Sequence, residues 1–152
     1  KKLNIYEDIA DKLEVFIKIL NERLNVKSIQ IDKEKGLEIQ STKIDVESKN
    51  VSVQEGVIVE NTVIKKKEIP LTGLSSGEQH MIVLLYNLLF NCKQNSLVLI
   101  DEPEISLHIG WQNEFINDLN RIKEINPFDV IIATHSPDVI NENWDLTVEL
   151  LA

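Results

Sequence analysis

Apolar residues at Ile5, Ile9, Leu13, Phe16, Leu20 and Leu24 recur every three or four positions, the spacing that lines up side chains on one stripe of an α-helix. Asn4 with Glu7 three residues on resembles a capping box, so the pattern predicts a long amphipathic helix over about 5–24. The period then changes to two. Ser28-Ile29-Gln30-Ile31 and Leu37-Glu38-Ile39-Gln40 alternate around a charged turn ending in Gly36, which predicts a β-hairpin. From 41 to 70 the alternation loosens (Ile44, Val46, Val51, Val53, Val57, Val59, Val63) in a background of Ser, Asn, Lys and Glu. Edge strands and a mobile insertion both fit that stretch, and short strands are the preferred reading.

A third pattern begins at Ser75. Ser75 or Ser76 can cap a helix over about 77–91, whose residues Met81 to Phe90 are apolar nearly all round and so predict burial. Leu97 to Ile100 is a short apolar run ending in Asp101 and Glu102, the mark of a central parallel strand. Trp111, Phe115, Leu119 and Ile122 share one face of a helix predicted over 110–125 and stopped by Asn126-Pro127. Val130 to Ala133 reads as the next buried strand, Pro137 as the start of a short helix, and Leu146 to Leu150 as a final strand. Strand, helix, strand in this order implies a crossover and a parallel sheet. The fold class is α/β, with an arm over 1–70 (helix plus β-rich segment) and an α/β core over 71–152.

At 152 residues and 43% apolar content the chain is predicted to form one compact domain. Net charge is −9, and the notable basic clusters are Lys1-Lys2 and Lys65-Lys66-Lys67, so no broad electropositive face for nucleic acid is expected. Lys65 to Lys67 are read as a soluble edge that discourages strand pairing, with residues 41–70 either a solvated excursion or a partner-docking arm. The single cysteine, Cys92, suits a reducing compartment, and the absence of a long apolar run or signal pattern points to the cytoplasm rather than a membrane. The chain opens on Lys1 rather than Met, as an excised part of a longer polypeptide would.

Three polar clusters carry candidate chemistry, each at an end of an apolar segment. Asp101-Glu102 follows a predicted strand at the edge where parallel sheets place ligands. One carboxylate of such a pair can hold Mg²⁺ through water while its neighbour orients and deprotonates an attacking water. A solvated acidic turn is the alternative. His135, after the second strand, would share that rim, where an imidazole can meet a terminal phosphate or the lytic water; a neighbour of a helix cap is the plainer alternative. Ser75-Ser76-Gly77 presents hydroxyls and main-chain amides at a helix start, an anion site or a simple N-cap. The conjunction and order of the three favour the chemical reading. No G-x-x-x-x-G-K-[ST] phosphate loop occurs among the five glycines.

Leu74-Ser75-Ser76-Gly77-Glu78-Gln79 resembles the signature motif of ABC-type ATPases, Leu97 to Glu102 their Walker B strand, Ile105 to His108 their D-loop, and Thr134-His135-Ser136-Pro137 their switch-histidine segment. The chain is similar to the C-terminal half of an ABC-type, SMC/RecF/OLD-like head, and most similar to bacterial AAA-family ATPases of virulence or phage defence. The motifs cover about 71–150; the first 70 residues fit only in outline. The resemblance implies a P-loop NTPase fold whose phosphate-loop half lies elsewhere, and ATP with Mg²⁺ as ligands. By it Asp101 assists Mg²⁺, Glu102 is the general base and His135 the γ-phosphate switch. Ser75, Ser76, Gly77, Glu78 and Gln79 form the signature facing the phosphate loop of a second subunit, in a two-fold dimer bound by ATP. A nuclease or other effector is the implied partner, nucleic acid being met indirectly. His108 stands where transporter D-loops carry Asp, and no catalytic role is assigned to it. His80, His108 and His135 lack the short spacing of a metal-ligand set. The isolated chain is expected to be inactive without a phosphate loop. A non-catalytic interaction module and a transporter ATPase subunit are the competing classes.

Overall fold

In the computed structural model the backbone is described for residues 2–42, 45–54, 57–65 and 67–149, and side chains for 6–42 and 67–149. Ile44, Lys66 and Leu150 lie outside the described residues. The chain divides into two compact units, one of residues 1–23 with 75–152 and the other of residues 24–74.

The second unit is built from antiparallel pairs. Strands β1 (Lys27–Asp32) and β2 (Gly36–Ser41) form the expected hairpin, with Ile29 opposite Ile39 and both buried. Asp32 holds the turn by accepting the amides of Glu34 (2.8 Å) and Lys35 (2.9 Å), and Gly36 supplies the positive φ of 79° that a side chain would resist. Residues 67–69 lie along β2, the Ser41 amide donating to Lys67 and the Ile69 amide to the Ile39 carbonyl, each at 2.8 Å. The 41–70 stretch is regular: β3 (Asp45–Gln54) and β4 (Val57–Lys65) form an antiparallel ribbon, longer than the short strands expected, with a register shift between Val46 and Ser48.

In the first unit, α1 (Lys2–Arg23) already runs through Asn4, so Asn4 is not its cap. The C-terminal half of α1 carries the buried stripe, Phe16, Ile19 and Leu20, whereas Tyr6 and Ile9 are exposed. The sequence places α1 with the arm, but it packs in the motif-bearing unit. Helix α2 (Ser76–Tyr86) ends in a π-helical turn, Asn87–Asn91. Met81, Leu85, Leu88 and Leu89 are buried while Val83 and Tyr86 are exposed, so α2 is covered on one side rather than all round. The helix expected over 110–125 is two pieces, α3 (Ile109–Gln112) and α4 (Phe115–Ile125). At the break the Asn113 carbonyl accepts Asn141 Nδ2 at 3.0 Å, which satisfies a group the interrupted ladder leaves open.

The core joins Phe16, Ile19 and Leu20 with Leu88, Leu89, Phe115, Leu119, Ile122 and Val139. Its edge holds an ion-pair tie between α1 and α4: Arg23 donates two parallel bonds to Asp118, 2.9 and 2.8 Å, and Arg121 grips Glu22. Trp111 Nε1 donates to the Arg23 carbonyl at 3.0 Å. Fully buried Asn126, expected only to stop a helix, donates to the carbonyls of Leu88 (2.8 Å) and Cys92 (3.2 Å).

Strands β5 (Leu97–Asp101) and β6 (Asp129–Ala133) pair in parallel, Leu99 opposite Ile131 and Asp101 opposite Ala133. Neither is the buried central strand expected. They are the only strands of their sheet among the described residues, and Leu97, Leu99 and Ile131 are more than half exposed. Burial of a strand on both faces requires cover on both faces, and these residues receive it on one. The final strand expected at Leu146 is a 3₁₀ turn, Trp144–Leu146, followed by irregular chain through Glu149. The short helix after Ser136 is present as α5 (Pro137–Ile140).

Candidate functional site

The parallel register brings two of the three polar clusters together. Because Asp101 pairs with Ala133 and the Glu102 amide donates to the Ala133 carbonyl at 2.8 Å, the residues that follow each strand leave the sheet at one edge. Asp101 is exposed at that edge. His135 Nδ1 lies 3.5 Å from Glu102 Oε1 and 3.3 Å from Glu104 Oε1. The imidazole is 76% exposed and the Glu102 carboxylate 45%, so both are open to an incoming molecule. Glu102 holds a φ of +45°, a left-handed backbone that costs a residue with a β-carbon roughly 1–2 kcal/mol and turns the chain sharply out of β5.

Sequence reasoning missed Glu104. It is one of four buried polar residues among those described, at 8% exposure. Glu104 Oε1 accepts the His135 amide at 3.1 Å, and Oε2 is buried with no hydrogen-bond partner among the described residues. Burial by itself pushes this carboxyl up. Its own main-chain amide, the Thr134 hydroxyl and the His135 amide and imidazole outweigh burial and hold it below the usual glutamate range. Gln112 makes a second link: Nε2 donates to the carbonyls of Leu107 (3.0 Å) and Glu104 (3.4 Å), while Oε1 accepts the Ser136 hydroxyl (2.8 Å). For Glu104 the sequence signal is a carboxylate two residues past the acid pair; Gln112, ten residues on, carries none.

The third cluster begins α2 as a reciprocal cap. Ser75 Oγ accepts the Glu78 amide at 3.3 Å and Glu78 Oε2 accepts the Ser75 amide at 2.7 Å. The Glu78 carboxylate is therefore turned back onto the cap. The Ser75 hydroxyl, an acceptor in this bond, keeps its own proton to donate. Ser76 and Gln79 are exposed and Gly77 is buried, with Gly77 packed against the main chain of Ser106 in the turn after Glu102. The signature-like segment thus meets the acid cluster's side of the unit through the Gly77–Ser106 contact.

His108 Nδ1 accepts the Gly110 amide at 3.2 Å and caps α3, and His80 is exposed on α2. Among the described residues no group of three or more His, Cys, Asp or Glu side chains is arranged to hold a metal ion. None of the described helices is long and apolar enough to cross a membrane.

Residues 4–141 match the protein family described as "AAA domain, putative AbiEii toxin, Type IV TA system". The chain belongs to this family of ATPase domains. This AAA domain is also 36% identical to protein ea59 of Escherichia phage lambda over 72 residues, 47% of this chain and 14% of the phage protein. It thus spans a small part of that relative's length. A solved structure reported under "Structural biochemistry of ATP-driven dimerization and DNA stimulated activation of SMC ATPases" aligns over 92% of this chain and 76% of its own, at 15% identity and a TM-score of 0.45. Membership in the family makes nucleotide the ligand class of this AAA domain and gives the α/β unit its place in a P-loop NTPase-like fold.

Proposed function

We propose that this AAA domain supplies the water-activating and signature elements of an ATP-hydrolysing site. The observation that carries the reading is the meeting of Glu102 and His135 at one open sheet edge, 3.5 Å apart. Glu102 is the general base: it orients a water toward the γ-phosphorus and takes its proton as the water oxygen bonds to phosphorus and the bond to the ADP oxygen breaks. His135 stands beside it at the same open edge. With Nδ1 turned to the carboxylates, a neutral imidazole carries its proton there and offers the Nε2 lone pair to a water O–H.

Asp101 is the magnesium-facing carboxylate. An exposed hard-oxygen donor at a strand end suits an ion held by one or two carboxylates together with water and nucleotide phosphates. When bound, Mg²⁺ supplies neutralisation of the charge on the phosphate oxygens.

Ser75, Ser76, Gly77 and Gln79 form the face offered to the γ-phosphate of ATP held on a second subunit's phosphate loop, and Glu78 keeps that face in shape through the cap. The motif order and family membership support an ATP-bound two-fold dimer that gates an effector, with defence against phage the setting suggested by the family description. The test is ATP turnover and ATP-dependent dimerisation of the complete protein beside its Glu102→Gln form. Loss of turnover with dimerisation retained is the expected result; equal turnover in the two sinks the assignment, and absence of both activities from the wild type favours an interaction module.

A further inference from the structure

Glu104 is the buried group at this edge for which the catalytic reading has no use. We infer that Glu104 is a positioning residue that sets where His135 stands, an inference that rests on the role proposed for His135. The geometry is specific to reach. Glu104 Oε1 accepts the main-chain amide of His135 at 3.1 Å and lies 3.3 Å from Nδ1 of the same residue, so a single oxygen bonds the backbone and stands beside the ring. Beside it the Thr134 hydroxyl accepts the Ser136 amide at 3.0 Å, which holds the turn through residues 134–136 in shape. The two strand ends are therefore joined by a side chain three residues past Asp101 as well as by the Glu102–Ala133 main-chain bond.

The burial of Glu104 argues for position over stability. Among the described residues its Oε2 has no partner, and an unpaired oxygen of a buried carboxylate is a cost that an apolar residue at 104 would avoid. His135 itself is mostly exposed, so little packing holds its ring. Without Glu104 the imidazole would sample several rotamers, and a displacement of about 1 Å at a reacting centre can lower a rate by about a hundredfold.

Reach and charge separate in two variants. Glu104→Gln keeps an oxygen at the same distance and removes the charge; Glu104→Asp keeps the charge and withdraws the oxygen by one methylene. Both are made in the complete protein, alone and combined with His135→Ala, and kcat and KM for ATP are measured together with hydrogen exchange at the His135 amide. Expected results are a kcat loss under about threefold for Gln, and a loss of about tenfold or more for Asp with KM little changed. The His135 amide exchanges faster in Asp than in Gln. Combined with His135→Ala, the Asp change adds no further loss, because it acts through the missing ring. Wild-type turnover in Glu104→Asp, a reversed order of the two variants, or a loss that adds to that of His135→Ala overturns the inference. If His135→Ala alone leaves turnover unchanged, the role proposed for His135 fails, whereas the exchange data still report whether Glu104 holds its amide. Should Glu104→Asp fail to fold, the fold depends on Glu104 and the positioning role is overturned.

Discussion

The carbonyl oxygen of Ser106 stands where a β-carbon on Gly77 would go, with the Ser106 carbonyl carbon 3.2 Å and the Trp111 ring 3.7 Å from that position. Ser106 has a φ of +68°, so its carbonyl is held by a backbone already outside the common regions and cannot swing away without cost. The start of α2 and the turn after Glu102 are fitted to one another through this contact.

In a helix, replacing glycine by alanine ordinarily stabilises by about 1 kcal/mol. At Gly77 the obstruction is backbone, so Gly77→Ala is expected to destabilise by about 1–3 kcal/mol. Gly110 is the contrast: its added β-carbon would meet only the His108 ring, at 3.5 Å, so Gly110→Ala is expected to be neutral or slightly stabilising. Urea midpoints of the two variants with m unchanged check the opposite signs, and a stabilised Gly77→Ala would contradict the fit.

Asp118 faces Arg23 with 4% and 12% of their side chains exposed. Removing one partner leaves the other charge buried, which typically costs about 3–5 kcal/mol. Asp118→Ala is expected at the lower end, because Glu114 lies 3.6 Å from Arg23 and offers a weaker substitute. Replacing both residues, as Arg23→Met with Asp118→Leu, is expected to recover most of that loss. Denaturant unfolding of the single and double variants separates a tie that matters by its pairing from one whose partners act independently.

Glu22 gives the α1–α4 tie a pH dependence. The hydrogen bond from Arg121 is the main cause, followed by opposing burial and the nearby positive charges, and the net effect holds the Glu22 carboxyl below its ordinary value. A depressed folded-state value means that the stabilisation is present above the ordinary glutamate value of about 4.3 and disappears as pH falls through the depressed one. Wild type is therefore expected to melt above Glu22→Gln at neutral pH, with the gap closing on acidification. A gap that stays constant or widens at low pH would show that the carboxylate's charge is not its source.

Period and turn chemistry made much of the fold legible. The hairpin lies within a residue of its expected ends because Ile29 and Ile39 alternate around a turn that needs Gly36. The neighbouring placement of the strands before Glu102 and His135 followed from an apolar run, a helical stretch and a second run. What escaped depends on distant partners. Glu104 and His135 are 31 residues apart, Gln112 and Ser136 24, Asn126 and Leu88 38, and no local pattern distinguishes a polar residue with such a partner from one in water. The exposed side of β5 and β6 escaped for a related reason: an apolar run reports what a strand can bury, while its cover is set by other elements.

The +45° φ of Glu102 has a consequence for how this domain can be changed. A left-handed position favours glycine or asparagine over glutamate, so the backbone and the proposed base pull residue 102 in opposite directions. A screen of variants for thermal resistance alone would be drawn toward Glu102→Gly, gaining stability as it lost the carboxylate. Retention of glutamate there requires selection on turnover, and its replacement in a stabilised variant would mark where that selection had been relaxed.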